Sequence, residues 1–354
     1  MQITRAEVIP VELKLRQPVR MAHLPPITAI TAIFVRLETR AGESAWGCSV
    51  AHPHLTGEGP EDVLRLCQDC ASAVPSLHPT NLEYSLSELA RLVPGSPSAL
   101  CAFDIAFHDL LGFISGMPLY RLLGGYRDRI QSSATIPLAP VDESVELARA
   151  RARLGFRILK IKGGVNPEQD VHRVRAIRRA LPGLTLRLDA DGGYTVEQAL
   201  DVARALKDHL EMLEQPTPAA DLQGLGQVTR HSQLPILADQ SAAGQASVLE
   251  LASQRIASGV SVKLATCGGF RCARQVDSIA RAAHIATMVS CTIEPALLIS
   301  AGLSLALSSP NVHYGDLDGH LDLLNDPSLV NFKLVDGWLV ASETPGLGGR
   351  VSLG

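Results

Sequence analysis

The 354-residue chain is 46% hydrophobic and carries a formal charge of −4, enough apolar content to bury one large domain and a smaller one. It has no dense lysine and arginine run with interleaved aromatics, which excludes nucleic acid as an expected partner. Its seven cysteines are odd in number and scattered, so reduced thiols are expected rather than a disulfide scaffold.

The opening residues, MQITRAEVIPVELKLRQPVR, alternate apolar and polar side chains and are charged throughout. That spacing predicts a strand over residues 2–15 and no secretory signal. The segment TAITAIFVRLETRAGESAWGCSV predicts further strands joined by a turn at Ala41 and Gly42. EDVLRLCQDCASAV reads as a helix, and with no second ligand pair nearby its Cys67 and Cys70 read as helix cysteines rather than half of a zinc site. A clearer helix is predicted over residues 98–114, where Leu100, Phe103, Ala106, Phe107 and Leu110 recur at helical spacing. Residues 1–125 are expected to form an α+β unit that caps something larger.

Beyond Arg127 the pattern becomes strand, loop and helix, repeated about every 25 residues. The strand-like runs are IQSSATIPL, RILKIK, LTLRLDA, LEMLEQ, PILADQ, GVSVKLA, IATMVS and VHYGDLD, eight in all. Amphipathic helical stretches lie between them, for example at 170–180, 196–206, 247–252 and 273–283. Eight such units predict an α/β barrel of parallel strands over residues 126–320. An open doubly wound sheet would carry a glycine-rich phosphate turn after its first strand, whereas GGV after RILKIK lacks the later glycine and is followed by Pro167. The most apolar stretch, 296–307, is too short to span a bilayer and contains Ser300, Gly302 and Ser304. A soluble, cytoplasmic protein without a membrane partner is expected.

Charged residues fall at the ends of these runs. Lys162, Asp189, Glu214, Asp239, Lys263 and Asp316 are separated by 27, 25, 25, 24 and 53 residues, the last step being about two periods. In a parallel barrel all strands point one way, so these side chains converge on the rim where barrels carry their chemistry. One strand-end aspartate alone would serve as well to cap the next helix. Three carboxylates in register make a hard oxygen ligand set that suits Mg2+, and the absence of His or Cys from the set disfavours zinc. Lysines at the ends of apolar strands are costly to bury unless paired or tuned. A nearby dication and partial burial would both lower their pKa and make them candidate general bases. Lys160 and Lys162 alternate with Ile161 and share one side of their strand, while Lys263 lies across the barrel. Two bases on opposite sides of one carbon could remove a proton from one face and return it to the other.

These residues resemble the muconate-lactonizing branch of the enolase superfamily, and within it the dipeptide epimerases. The likeness runs through the whole chain, including MPLYRLLGG and the C-terminal PGLGG. It implies a modified TIM barrel, (β/α)7β, with an α+β N-terminal cap and a segment, 321–354, that returns to the cap. A lysine base beside Mg2+ is the established pairing for such sites. The resemblance implies that Lys160 in KIK faces the substrate carboxylate and Lys162 is one acid/base. It makes Asp189 in RLDADGG, Glu214 in LEQP and Asp239 in LADQS the ligands of one Mg2+, and Lys263 in VKLATCGG the second acid/base. Asp316 and Asp318 in GDLDGH share a face of the eighth strand and correspond to the acidic pair that meets the substrate's α-ammonium. Thr135 and Cys291 match positions that contact the dipeptide, although packing is the ordinary role of either. A homo-oligomer is also implied.

Departures from that pattern bear on the substrate. The N-terminal loop reads VRMAHLPPITA, with Pro25 and Pro26 and no arginine placed as in epimerases that accept a C-terminal glutamate. A dipeptide with an apolar or uncharged second residue is therefore expected. Gln240 replaces the usual Glu, Asp191 with Gly192 replaces the usual Asn-Gln, and Cys48 stands where Glu is frequent. Alternative readings are a racemase or dehydratase of a proline-type or N-modified amino acid, a muconate-type cycloisomerase, and a non-catalytic carboxylate-binding barrel.

Overall fold

The computed structural model describes residues 2–352. Strands Ile3–Val19, Ile27–Thr39 and Ser44–Val50 form an antiparallel sheet in chain order. Helix Pro97–Ser115 packs on its third strand at backbone contact, because a Cβ on Gly47 would stand 2.0 Å from the carbonyl oxygen of Ala102. The sequence delimits that helix on both sides. Ser96 accepts a hydrogen bond from the N–H of Ala99, Pro97 occupies the first turn, and Gly116 ends it at φ 66°. Phe103, Phe107 and Leu110 are wholly buried in the core of this unit, each stabilising it by roughly 2–3 kcal/mol. Among the described residues this helix alone is long and apolar enough to cross a membrane, but most of it is buried inside the fold.

The expected barrel is present. Strands Ser133–Ile136, Ile158–Lys162, Thr185–Asp189, Met212–Glu214, Ile236–Ala238, Gly259–Val262, Ala286–Ser290 and Val312–Asp316 form one eight-stranded sheet in chain order, with parallel neighbours. A parallel bridge between Ser132 and Gly315 joins the first edge to the last. A helix crosses between each strand and the next, and none follows the eighth before the C-terminal strands, which is the (β/α)7β order. The seventh of these helices, Ala296–Ser308, is buried on every side, which explains its uniformly apolar sequence.

Register sets the site. Lys162 pairs with Asp189, Asp189 with Glu214, and Ser290 with Asp316, so the strand ends lie at one level. The N-terminal unit is fixed over this end by two buried aspartates of helix Pro97–Ser115. Asp104 accepts from the N–H groups of Phe270 and Arg271 at 2.7 and 3.2 Å, at the start of the helix after the sixth barrel strand. Asp109 accepts from Trp46 and Leu347 at 2.8 and 2.7 Å, joining the N-terminal sheet to the C-terminal tail. The tail also returns to the barrel, where Trp338–Val340 pairs with Arg129–Gln131 ahead of the first barrel strand.

Replacing Asp104 by alanine leaves buried backbone N–H groups without an acceptor, at a cost of about 2 kcal/mol or more. The expected outcome is a lower urea midpoint for unfolding, with a far-UV circular dichroism spectrum unchanged in dilute buffer.

Candidate active site

The carboxylates that end strands three and four, and the one that follows strand five, have no capping duty. The succeeding helices are capped by other side chains, Thr195 and Asp221, and Asp239 makes no side-chain cap bond to the turn after it. Asp189, Glu214 and Asp239 instead bring one oxygen each within 4.8 Å of the others. Gln215 fixes this spacing from behind. Its Oε1 accepts from the N–H groups of Asp239 and Ser241 at 2.8 and 3.1 Å, and its Nε2 donates to the Thr217 carbonyl at 2.9 Å. Gln215 is not legible in the sequence, since a glutamine after a strand-end Glu carries no signal of its own.

The trio fits a divalent cation. Both carboxylate oxygens of Glu214 are buried without a protein hydrogen-bond partner, which leaves them free to ligate a cation. Burial, then the neighbouring charge of Asp189, pushes the Glu214 acid up from 4.5 to about 8. The donors are all hard oxygens, which matches Mg2+ chemistry.

Lys162 follows Ile161 at the end of the second strand and donates to Asp189 and Asp191, at 2.8 Å in each case. Lys263 follows the sixth strand and pairs with Asp239. Lys160 pairs with Asp316 and lies 3.4 Å from Asp189 and 3.7 Å from Glu214. The sequence predicted depressed lysine pKa values, and the cation-free arrangement gives the reverse. Burial lowers all three, but the facing carboxylates outweigh it and hold the amines above their usual range. The expected depression depends on a dication cancelling that negative charge.

A second cluster contains the remaining predicted residues. Asp316 accepts from Ser133 and Ser290 at 2.6 and 2.7 Å besides Lys160. Asp318 accepts from the N–H and hydroxyl of Thr135 at 2.6 and 3.2 Å and from the Cys291 thiol at 3.8 Å. All of its donors are neutral, and among the described residues no cation lies within ion-pair distance of it. Burial, then Asp316, raises its pKa.

A cavity of about 240 Å³ opens beside the trio and is lined by Asp239, while Asp189 and Glu214 lie outside its lining. Lys162, Lys263, Asp239, Asp191 and Gln240 form its floor. Met21, Leu24, Ile27, Ile30 and Leu55 come over it from the N-terminal unit. Lys160, Asp316, Asp318, Thr135 and Cys291 do not line it, and Pro25 and Pro26 of the N-terminal loop also lie outside the lining. His52 lines the cavity and was missed, because a lone histidine after a strand is no signal; burial, Lys263 and His54 lower its pKa to about 4.

Comparison with known proteins places the chain in a family. Residues 3–124 match the family described as mandelate racemase/muconate lactonizing enzyme, N-terminal domain, and residues 143–352 match the family described as enolase C-terminal domain-like. The chain belongs to the mandelate racemase/muconate lactonizing enzyme family. It is 34% identical to an L-Lys-D/L-Arg epimerase of Methylococcus capsulatus, over 98% of this chain and 99% of that one. A dipeptide epimerase from Enterococcus faecalis, solved with Mg and the dipeptide L-Leu-L-Tyr, superposes with a TM-score of 0.95 at 32% identity, covering 99% of each chain. The L-Ala-D/L-Glu epimerase of Bacillus subtilis, solved in a substrate-liganded complex, gives 0.95 at 29% identity over 100% of each. Like these members of the family, the chain is an isomerase.

A pH-dependent metal site follows from Glu214. Because its folded acid is raised, the metal-free protein holds a proton there that the unfolded chain has released, and this contribution to stability is lost as pH climbs from about 4.5 to about 8. Metal must displace that proton, so Mg2+ affinity should rise with pH up to about 8 and then level off. Calorimetric titration at pH 6, 7, 8 and 9 checks the trend, and Glu214→Gln should remove the Mg2+-induced rise in melting temperature.

Proposed function

We propose that the protein is a Mg2+-dependent dipeptide epimerase that exchanges the α-proton of the carboxyl-terminal residue between Lys162 and Lys263. The observation that carries this reading is the opposition of the two amines. They rise from strands four apart in an eight-stranded barrel, with the acidic trio on the strands between them, and both face one cavity.

In this reading Asp189, Glu214 and Asp239 hold the ion. Bound Mg2+ would stabilise the negative charge that builds on the substrate carboxylate as the α-proton leaves. Lys160, buried beside the trio, would add a second positive charge against the same group. One base, as the free amine, takes the proton at Nζ, and the opposite ammonium delivers one to the other face. The buried Asp318, with neutral donors and no cation, supports a substrate that brings its own α-ammonium, and Asp316 would share that charge. An N-acylated or muconate-type acid has no such group.

The second residue of the dipeptide is apolar or uncharged. Among the described lining residues the only lysine or arginine cations are the two bases, so an acidic side chain would find no guanidinium or further ammonium and would have only the histidines His23, His52 and His54 to meet it. Met21, Leu24, Ile27, Ile30 and Leu55 give an apolar wall instead.

A dipeptide library incubated with Mg2+ in deuterated water, read by mass shift, identifies the substrate. Exchange confined to N-acyl or cyclic amino acids would replace the dipeptide reading, and absence of both exchange and metal binding would leave a non-catalytic barrel. On the best dipeptide, Lys162→Ala and Lys263→Ala should each lower epimerisation by about 10²–10⁴-fold. Each variant should still exchange deuterium into one epimer, and the two variants should differ in which.

A further inference from the structure

The two bases are held unequally. Lys162 donates to both oxygens of Asp191, at 2.8 and 3.1 Å, as well as to Asp189. Lys263 has Asp239 as its carboxylate partner. Asp189 and Asp239 both belong to the trio and Asp191 does not. Asp189 and Asp239 would be shared between the amines and a cation held by the trio, whereas Asp191, outside the trio, would remain available to Lys162.

Asp191 is also built in rigidly. Its backbone is left-handed at φ 45°, a region that Asp adopts more readily than most residues, and its N–H donates to Asp189 Oδ1 at 3.1 Å. The turn that follows has no slack, because a Cβ on Gly193 would stand 1.9 Å from the Gly164 carbonyl oxygen. Gln240 braces the carboxylate from the far side of the cavity floor through an Nε2 donor at 3.3 Å. The amide is fixed in that sense, since the opposite flip would set its oxygen against the carboxylate.

We infer that Asp191 is a dedicated positioning residue for Lys162, so that with metal bound one base stays clamped by a carboxylate and the other is released. The inference rests on the two-base reading above but makes a separate demand. The two ammonium groups must differ in restraint even though both line the same cavity and are equally exposed, 8% each.

Trace acetylation of the Mg2+-saturated protein with acetic anhydride, quantified by peptide mass spectrometry, measures this directly. Lys162 is expected to be acetylated at least about fivefold more slowly than Lys263, the scale of one partly buried ion pair. In Asp191→Asn, which keeps the size and tolerates the left-handed backbone, the two rates should come within about twofold of each other. Asp191→Gly repeats the measurement on a backbone with no steric objection to that φ, and melting curves with and without Mg2+ show that each variant folds and binds metal. Equal acetylation in the wild type, or a contrast that survives in both variants, overturns the clamp. On a dipeptide substrate in deuterated water, Asp191→Asn should shift the balance between return to the starting epimer and crossover in opposite senses for the two epimers, whereas general loosening of the site would move both alike. If no dipeptide exchanges while the acetylation contrast holds and disappears in the variants, the dipeptide reading falls and the clamp stands.

Discussion

A carboxylate taken out of water costs several kcal/mol unless cations or donors replace its hydration, and the mouth of this barrel concentrates that cost. Asp189, Glu214, Asp239, Asp316 and Asp318 are buried there, with Asp191 beside them, against the ammoniums of Lys160, Lys162 and Lys263. The cluster is three positive charges short. Burial is the largest cause of the raised pKa values of Glu214, Asp191 and Asp318, and it carries Glu214 to about 8. A dication among the trio and an α-ammonium near Asp318 would together supply the missing charge. Binding of a dication is therefore coupled to proton release at Glu214, and the three lysines offset only part of the buried negative charge.

The barrel and the N-terminal unit divide the work. Lys162, Lys263 and the three carboxylates of the trio sit at strand ends or directly after them, while the N-terminal unit adds the histidines His23, His52 and His54 to the cavity. The apolar wall comes from the N-terminal strands and their loops, held over the mouth by Asp104 and Asp109 through backbone N–H groups of other segments. Changing wall residues such as Met21 or Ile30 alters the shape offered to a side chain without disturbing the strand-end charges. That separation explains how the departures at Pro25, Pro26 and the missing arginine can coexist with an intact set of lysines and carboxylates.

The barrel was legible because its signal is repeated. Each strand-like run was short, but their even spacing and their charged last residues reinforced one another, and all eight strands lie within the runs read from the sequence. Cys67 and Cys70 are both buried free thiols on one helix, in line with their reading as helix cysteines. What escaped notice depends on long-range placement. His52 and Ile30 reach the cavity only because the N-terminal sheet is docked over the barrel, and periodicity within a strand reports that one face is buried without saying against what. The raised lysine pKa values escaped for a different reason: the sequence reading supposed the cation present and so omitted the carboxylates' own pull on the amines.

Beneath the charged layer the barrel interior is not uniformly apolar. Met212, Leu237 and Met288 fill part of it, with Tyr314 packed against them, and the fully buried Arg187 lies on the same strand face as Asp189, one pleat below. Its guanidinium pairs with Glu211 at 2.7 Å, lies over the Tyr314 ring and donates to the Gly315 carbonyl at 2.9 Å. It also reaches the Ser133 hydroxyl at 3.5 Å, which in turn donates to Asp316. An aliphatic side chain of similar volume would fill this space but would remove the 2.9 Å bond to the Gly315 carbonyl, leaving it the longer contact from the Ser133 hydroxyl at 3.4 Å. The arginine ties the first, third and eighth strands together at the seam where the sheet closes, by directed bonds that packing alone does not provide. The position of Asp316, and through it that of Lys160, is thus set from below by a charge in the barrel core.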